Sequence, residues 1–190
     1  KVTWMPELEG NNLRDWAELE GLEPTIENGA ELVIQAQLNG GASCVFHAMD
    51  EADVERIMKH PQTMIASDGR LVAPGMGHPH PRWYGTFPRV LGHYVREKGT
   101  LSLPEAVYKM TQLPARTMGL PDRGILAPGL KADVVIFNPL TVADKATFEE
   151  PHQYPTGIPY VIVNGHFAVE YGEFQGIKGG KVLRKPTAAD

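Results

Sequence analysis

The chain has 190 residues, enough for one ordinary domain or two small ones with a sizeable core. It is 42% hydrophobic and 22% charged, a globular balance, and its net charge of -5 gives no electrostatic reason to expect nucleic acid or an anionic membrane as partner. No stretch is long and apolar enough to span a bilayer, and the single cysteine, Cys44, excludes an internal disulfide and points to a reducing compartment, the cytoplasm. Cys44 lies in an apolar run, residues 42–48, which predicts a buried structural thiol. The chain opens without a basic-then-apolar leader and directly on a strand-like run, residues 2–5, so it is expected to be a piece of a longer polypeptide.

After that run, Pro6 and Gly10 break the pattern. A helix is predicted from Asn11 or Asn12 as cap, with Leu13, Trp16 and Leu19 at helical spacing and Gly21 as stop. A second runs from Thr25 to Leu38, with Ile26, Ala30, Val33 and Ile34 on one face. Residues 43–48 read as a short strand, and Asp50 caps a helix with Val54, Ile57 and Met58 on one face. Residues 63–67 read as the next strand. Strands alternating with helices are the pattern of parallel βα units. Residues 70–82, rich in Gly, Pro and His, form a long aperiodic loop, and such loops inside compact domains are usually functional. Helices are then expected from Phe87 to Lys98 and from Ser102, whose spacing to Glu105 makes a capping box, with a short helical turn at residues 113–119.

Beyond Gly119 the texture becomes β-rich. "ADVVIFNP", "PYVIVNG" and "HFAVEYG" are strand runs, and Asn164-Gly165 is a strong hairpin turn. The expected division is residues 1–118 as βα units and 119–190 as an antiparallel piece.

The strand at residues 63–67 ends at Asp68-Gly69. Locally this is equally a hairpin turn or an acid placed at the end of a buried strand. The wider pattern separates the two. "HAMDEADVERIMKHPQTMIASDG", "HPHPRWYGTFPRVLGHYVREKG", "GILAPGLKADVVIFNP" and "YVIVNGHFAVEYGEFQG", in that order, closely resemble the C-terminal part of the D-aminoacylase, or N-acyl-D-amino-acid deacylase, family of the amidohydrolase superfamily.

The resemblance implies an α/β fold: the C-terminal sector of a TIM-like (β/α)8 barrel, over residues 1–118, plus C-terminal strands of a small β-sandwich, over 119–190. A whole barrel needs roughly 250 residues, and strand signals here serve only three βα units. It implies zinc as cofactor, with most ligands outside this chain. It makes Asp68 the catalytic acid–base, a metal contact as well, facing a zinc-activated water. It places Arg82 at the α-carboxylate of a small N-acyl-amino-acid substrate, where a guanidinium can make two parallel hydrogen bonds. His78 and His80 are expected to line the pocket mouth and bind substrate rather than ligate zinc, because Pro79 and Pro81 interrupt any strand there. His47 reads as a packed histidine or a pocket-lining one, and Trp83 and Tyr84 as core. His60, His93, His152 and His166 receive no role.

The implied reaction is hydrolysis of N-acyl-D-amino acids to a carboxylate and a D-amino acid. Another amidohydrolase, a dihydroorotase- or dihydropyrimidinase-like ring opener, is the alternative within the class. A non-catalytic fragment or assembly piece is the alternative outside it. Three parallel strands cannot close a barrel, so the isolated chain is expected to be inactive and to need its N-terminal half or another chain to complete the fold.

Overall fold

The computed structural model describes residues 2–184. Its elements are helices followed by one antiparallel sheet. A 3-10 turn, Pro6–Leu8, precedes α1 (Leu13–Leu19) and α2 (Ile26–Leu38). Asn12 caps α1 and, with Asp15, closes a capping box, while the Thr25 hydroxyl caps α2. Trp16, Ala17, Leu32 and Ala36 from these helices bury against Leu8, with Trp4 packed alongside. This is one hydrophobic cluster.

The second cluster is built from α3 (Glu51–Lys59), a π-helical segment (Val90–Glu97) that continues α4 (Arg82–Arg89), and α5 (Leu103–Met110). Met58, Val90, Leu91, Tyr94, Leu101, Ala106 and Val142 form its centre, and Ile65 and Met110 pack on it. The expected helix at 87–98 thus begins earlier, at Arg82, and winds wider. Pro81 sets the entry, and the Nδ1 of His80 accepts the Arg82 amide at 3.0 Å. Pro88 brings no N–H and crowds the carbonyl one turn back, which accounts for the change from α to π winding just after it. α5 carries the expected Ser102–Glu105 capping box, and α6 (Gln112–Met118) ends at Gly119, φ +70.

The sheet contains β1 (Val134–Ile136), β2 (Tyr160–Val163), β3 (His166–Glu170) and β4 (Glu173–Phe174), in that order and all antiparallel. Val163 faces His166 across Asn164 (φ +48) and Gly165 (φ +81), the doubly left-handed turn that the Asn-Gly pair favours. Between β1 and β2, residues 138–157 form a strap closed at its base. The Asn138 amide donates to the Gly157 carbonyl at 2.8 Å, and Ala143 and Thr156 exchange amide bonds.

The strands expected at residues 2–5, 43–48 and 63–67 do not form among the described residues. A ladder needs a neighbouring backbone, and the Ile65 amide donates instead to the Lys109 carbonyl, at 3.1 Å. Residues 63–67 keep the two-residue alternation of a strand all the same: Thr63, Ile65 and Ser67 are half-buried, Met64, Ala66 and Asp68 exposed. Cys44 is exposed, not buried, because residues 43–48 have no element packed over them. Among the described residues no helix is long and apolar enough to cross a membrane.

Candidate functional site

Asp68 follows the extended segment that packs on α5, and its own backbone is left-handed, φ +45. Asp is one of the few side chains that tolerate this region, and such conformations gather at functional positions. The turn after it is tight. The Gly69 amide donates to the Ser67 hydroxyl at 3.1 Å, and a side chain at Gly69 would meet the Trp83 Cα at 3.3 Å. That contact sets the Asp68 turn against the first residues of α4.

Arg82 is the first residue of α4, and its Nη2 donates to Asp68 Oδ2 at 2.6 Å. The two residues singled out in the sequence for base and for carboxylate clamp are therefore direct partners. The Asp68 side chain is 85% exposed and that of Arg82 42%, so solvent screens the pair and its strength in isolation is modest.

A wall of histidines stands beside this pair. His80 packs edge-on to Phe148, ring centres 5.2 Å apart, and His47 does the same from another side at 4.4 Å. His78 donates through Nε2 to the Phe148 carbonyl. Burial, reinforced by the charges of Arg82 and His47, pushes the His80 pKa down. The neutral ring is the form that can accept the Arg82 amide on Nδ1. His152 lies further along the strap. It donates through Nε2 to the Gly77 carbonyl at 2.9 Å and accepts the Tyr84 hydroxyl on Nδ1 at 2.9 Å. Burial, with Tyr154 nearby, raises the Tyr84 pKa and keeps it the donor.

The strap thus reaches back over 70 residues to hold the loop before α4. His47 is exposed and touches Phe148 edge-on, and Trp83 and Tyr84, expected in the core, are only half-buried. His152, to which the sequence assigned nothing, is the link that pattern reading missed. No spacing rule could connect it to Gly77 and Tyr84, since contacts at that separation have no local periodicity.

Two cavities stand out among the described residues. The larger, about 520 Å³, is apolar and lies between Phe87, Leu91, Met110, Ile125, Val135 and Ile158. The smaller lies against Trp4, Trp16 and Phe46. Asp68, Arg82, His78 and His80 border neither. Among the described residues no three His, Cys, Asp or Glu side chains are grouped to hold a metal ion. Asp68 can offer a metal one carboxylate, and these residues do not complete a site.

A family model described as "Amidohydrolase family" matches residues 12–169. The chain is 43% identical over 190 residues to a D-aminoacylase of Alcaligenes xylosoxydans xylosoxydans, a match that covers 98% of this chain and 37% of that protein. A crystal structure of D-aminoacylase superposes with a TM-score of 0.82 at 43% identity, covering 94% of this chain and 35% of the other. An N-acyl-D-glutamate deacylase of Bordetella bronchiseptica, complexed with zinc and a phosphonate that mimics the tetrahedral intermediate, superposes with a TM-score of 0.76 at 44% identity, over 88% and 33%. The chain spans about a third of the length of the relatives it matches.

Proposed function

This chain belongs to the amidohydrolase family, and we propose that it is the C-terminal portion of a zinc-dependent enzyme that hydrolyses N-acyl-D-amino acids to a carboxylate and a D-amino acid. The observation that carries this reading is the Asp68–Arg82 pair: an acid in a strained turn at the end of an extended segment, 2.6 Å from a guanidinium at a helix start. The identity to a D-aminoacylase and the likeness to an N-acyl-D-glutamate deacylase support the substrate class. They favour it over a ring-opening amidohydrolase.

In this reading residues 1–118 are the last βα units of a (β/α)8 barrel, and 119–190 are the C-terminal strands of a β-sandwich. The exposed row Met64, Ala66 and Asp68 supports it, since a barrel strand turns alternate residues inward. Asp68 accepts a proton from the attacking water and delivers it to the departing amine nitrogen. Arg82 takes the α-carboxylate of the substrate by two parallel N–H bonds, exchanging Asp68 for the substrate as partner. His80, neutral and fixed by Phe148, and His78 flank the entering substrate. Zinc would supply Lewis-acid activation of the water. Asp68 would contribute at most one contact to it, and its other ligands would come from outside this chain, which fits the lack of any group of three His, Cys, Asp or Glu among the described residues. The isolated chain is accordingly inactive, and the N-terminal half of the polypeptide, or another chain, completes the fold. One cysteine in 190 residues supports a cytoplasmic location.

The test is Asp68→Asn in the complete polypeptide. It keeps the shape and removes the base, so turnover should fall about a hundredfold or more with zinc content unchanged. Turnover near that of the parent would end this reading.

A further inference from the structure

The least ordinary residue near the site is a lysine that the chemistry above does not use. Lys109, in the last turn of α5, is only 4% exposed. Lysine is almost never buried so completely without partners. Its ammonium donates to the His60 carbonyl and, at 3.1 Å, to the Thr63 carbonyl, while its own carbonyl accepts the Ile65 amide at 3.1 Å. His60 is the C-cap of α3, so the cation also sits at the negative end of that helix. One residue therefore grips the backbone at 60, 63 and 65, on the segment that runs to Asp68.

We propose that Lys109 is a positioning residue for Asp68. The grip fixes both the distance of the segment from α5 and its register. Register matters because side chains alternate along an extended chain, and a slip of one residue would turn Asp68 to the α5 side and Ser67 outward. The hold ends at Ile65, three residues before the acid, and the Ser67–Gly69 bond and Arg82 take over beyond it. No sheet ladder among the described residues fixes residues 63–67, so the buried ammonium does this work. A methionine of similar length would fill the space and leave the part-buried His60 and Thr63 carbonyls without this donor.

This inference rests on Asp68 being the base, and the test separates the two. In the complete polypeptide, kcat and KM are measured for the parent, Lys109→Met, Lys109→Arg, Asp68→Asn and each lysine variant combined with Asp68→Asn. Lys109→Met should lower kcat about 10- to 100-fold, as a small misplacement of a reacting group does, with KM little changed. Lys109→Arg, which keeps the cation, should recover much of that loss. In the Asp68→Asn background neither lysine variant should lower the residual rate further, because the residue it positions is gone. Equal losses in both backgrounds would mean that Lys109 supports the fold in general and would overturn the proposal. So would a Lys109→Met enzyme with parental kcat. If Lys109→Met does not fold, the Lys109→Arg pair is read by the same comparison. A fully active Asp68→Asn enzyme would instead sink the assignment of the base.

Discussion

Gly157 closes the base of the strap that carries Phe148 and His152 to the histidine wall. Its φ is +77, and a Cβ there would lie 2.5 Å from the Val142 nitrogen, 2.6 Å from its Cα and 2.7 Å from the Thr141 carbonyl carbon. These are backbone atoms with nowhere to go. Val142 is fully buried, its amide is bonded to Asn138, and its carbonyl is held by the guanidinium of Arg96. For Gly157→Ala, the left-handed backbone costs about 1–2 kcal/mol and the overlap about 1–3 kcal/mol more. The sum, about 2–5 kcal/mol, is a large share of the ordinary stability of a domain. At a urea dependence of about 1–3 kcal/mol per molar, the unfolding midpoint should fall by on the order of 1–2 M. Gly172→Ala is the control. Its φ is +83, but nothing lies within 4 Å of its Cβ, so only the backbone term applies. Equal midpoints for the two variants would refute the claim that close approach at the strap base, rather than turn conformation alone, makes Gly157 necessary.

Further outcomes follow from other contacts. Arg82→Lys should lower kcat/KM for N-acyl-D-amino acids much more than for analogues with an amidated carboxylate, because an ammonium cannot make the two parallel bonds; equal losses on both would assign Arg82 to loop order. Glu55 accepts hydrogen bonds from Lys98 and Thr100, which, with the Lys98 bond the largest cause, hold its pKa below the ordinary 4.5. A depressed carboxylate stabilises the fold above its unfolded value and loses that contribution as pH falls through the folded value. The stability advantage of the parent over Glu55→Gln should therefore be present at neutral pH and vanish on acidification below about 4.5; a gap that is constant with pH would contradict it. Residues 1–190 expressed alone should bind no stoichiometric zinc and show no deacylase activity; a zinc-loaded, active product would overturn the assignment of the ligands to the rest of the polypeptide.

What could be read in the sequence was what is fixed locally. The cap of α1, read as Asn11 or Asn12 and found at Asn12, the Ser102 capping box, the Asp50 cap and the Asn164-Gly165 hairpin each rest on groups a few residues apart, and each is present. Asp68 and Arg82 were each singled out through the family resemblance, but that they bond to one another, 14 residues apart, came only from the structure. What could not be read depends on distant backbone. Residues 43–48 and 63–67 have strand composition, but pairing is a property of the neighbour. Lys109 looks like an exposed helix residue until the His60 and Thr63 carbonyls, 49 and 46 residues back, are brought to it. Cys44 failed for the same reason, since an apolar run is buried only when another element packs over it.

The face that carries Asp68 is the consequence of that unpaired segment. Met64 and Ala66 stand exposed on its side of the chain, and Leu71, three residues beyond Asp68, is fully exposed. Large apolar side chains left in water forgo about 1.5–3 kcal/mol each relative to burial. An acid among such residues has two very different environments available to it. In solvent it is an ordinary carboxylate paired with Arg82. With the apolar side chains around it covered, water would be excluded and the attraction between Asp68 and its guanidinium would strengthen, since charges interact more strongly where the dielectric is low. The proposed base therefore acquires its working environment from whatever covers this face, whereas its position is set from within by α5, the Ser67–Gly69 turn and the start of α4. In the proposed reading, placement is set within this chain and environment by the rest of a longer polypeptide, so the substitutions that test placement lie inside this chain and the test of environment is its removal from the rest.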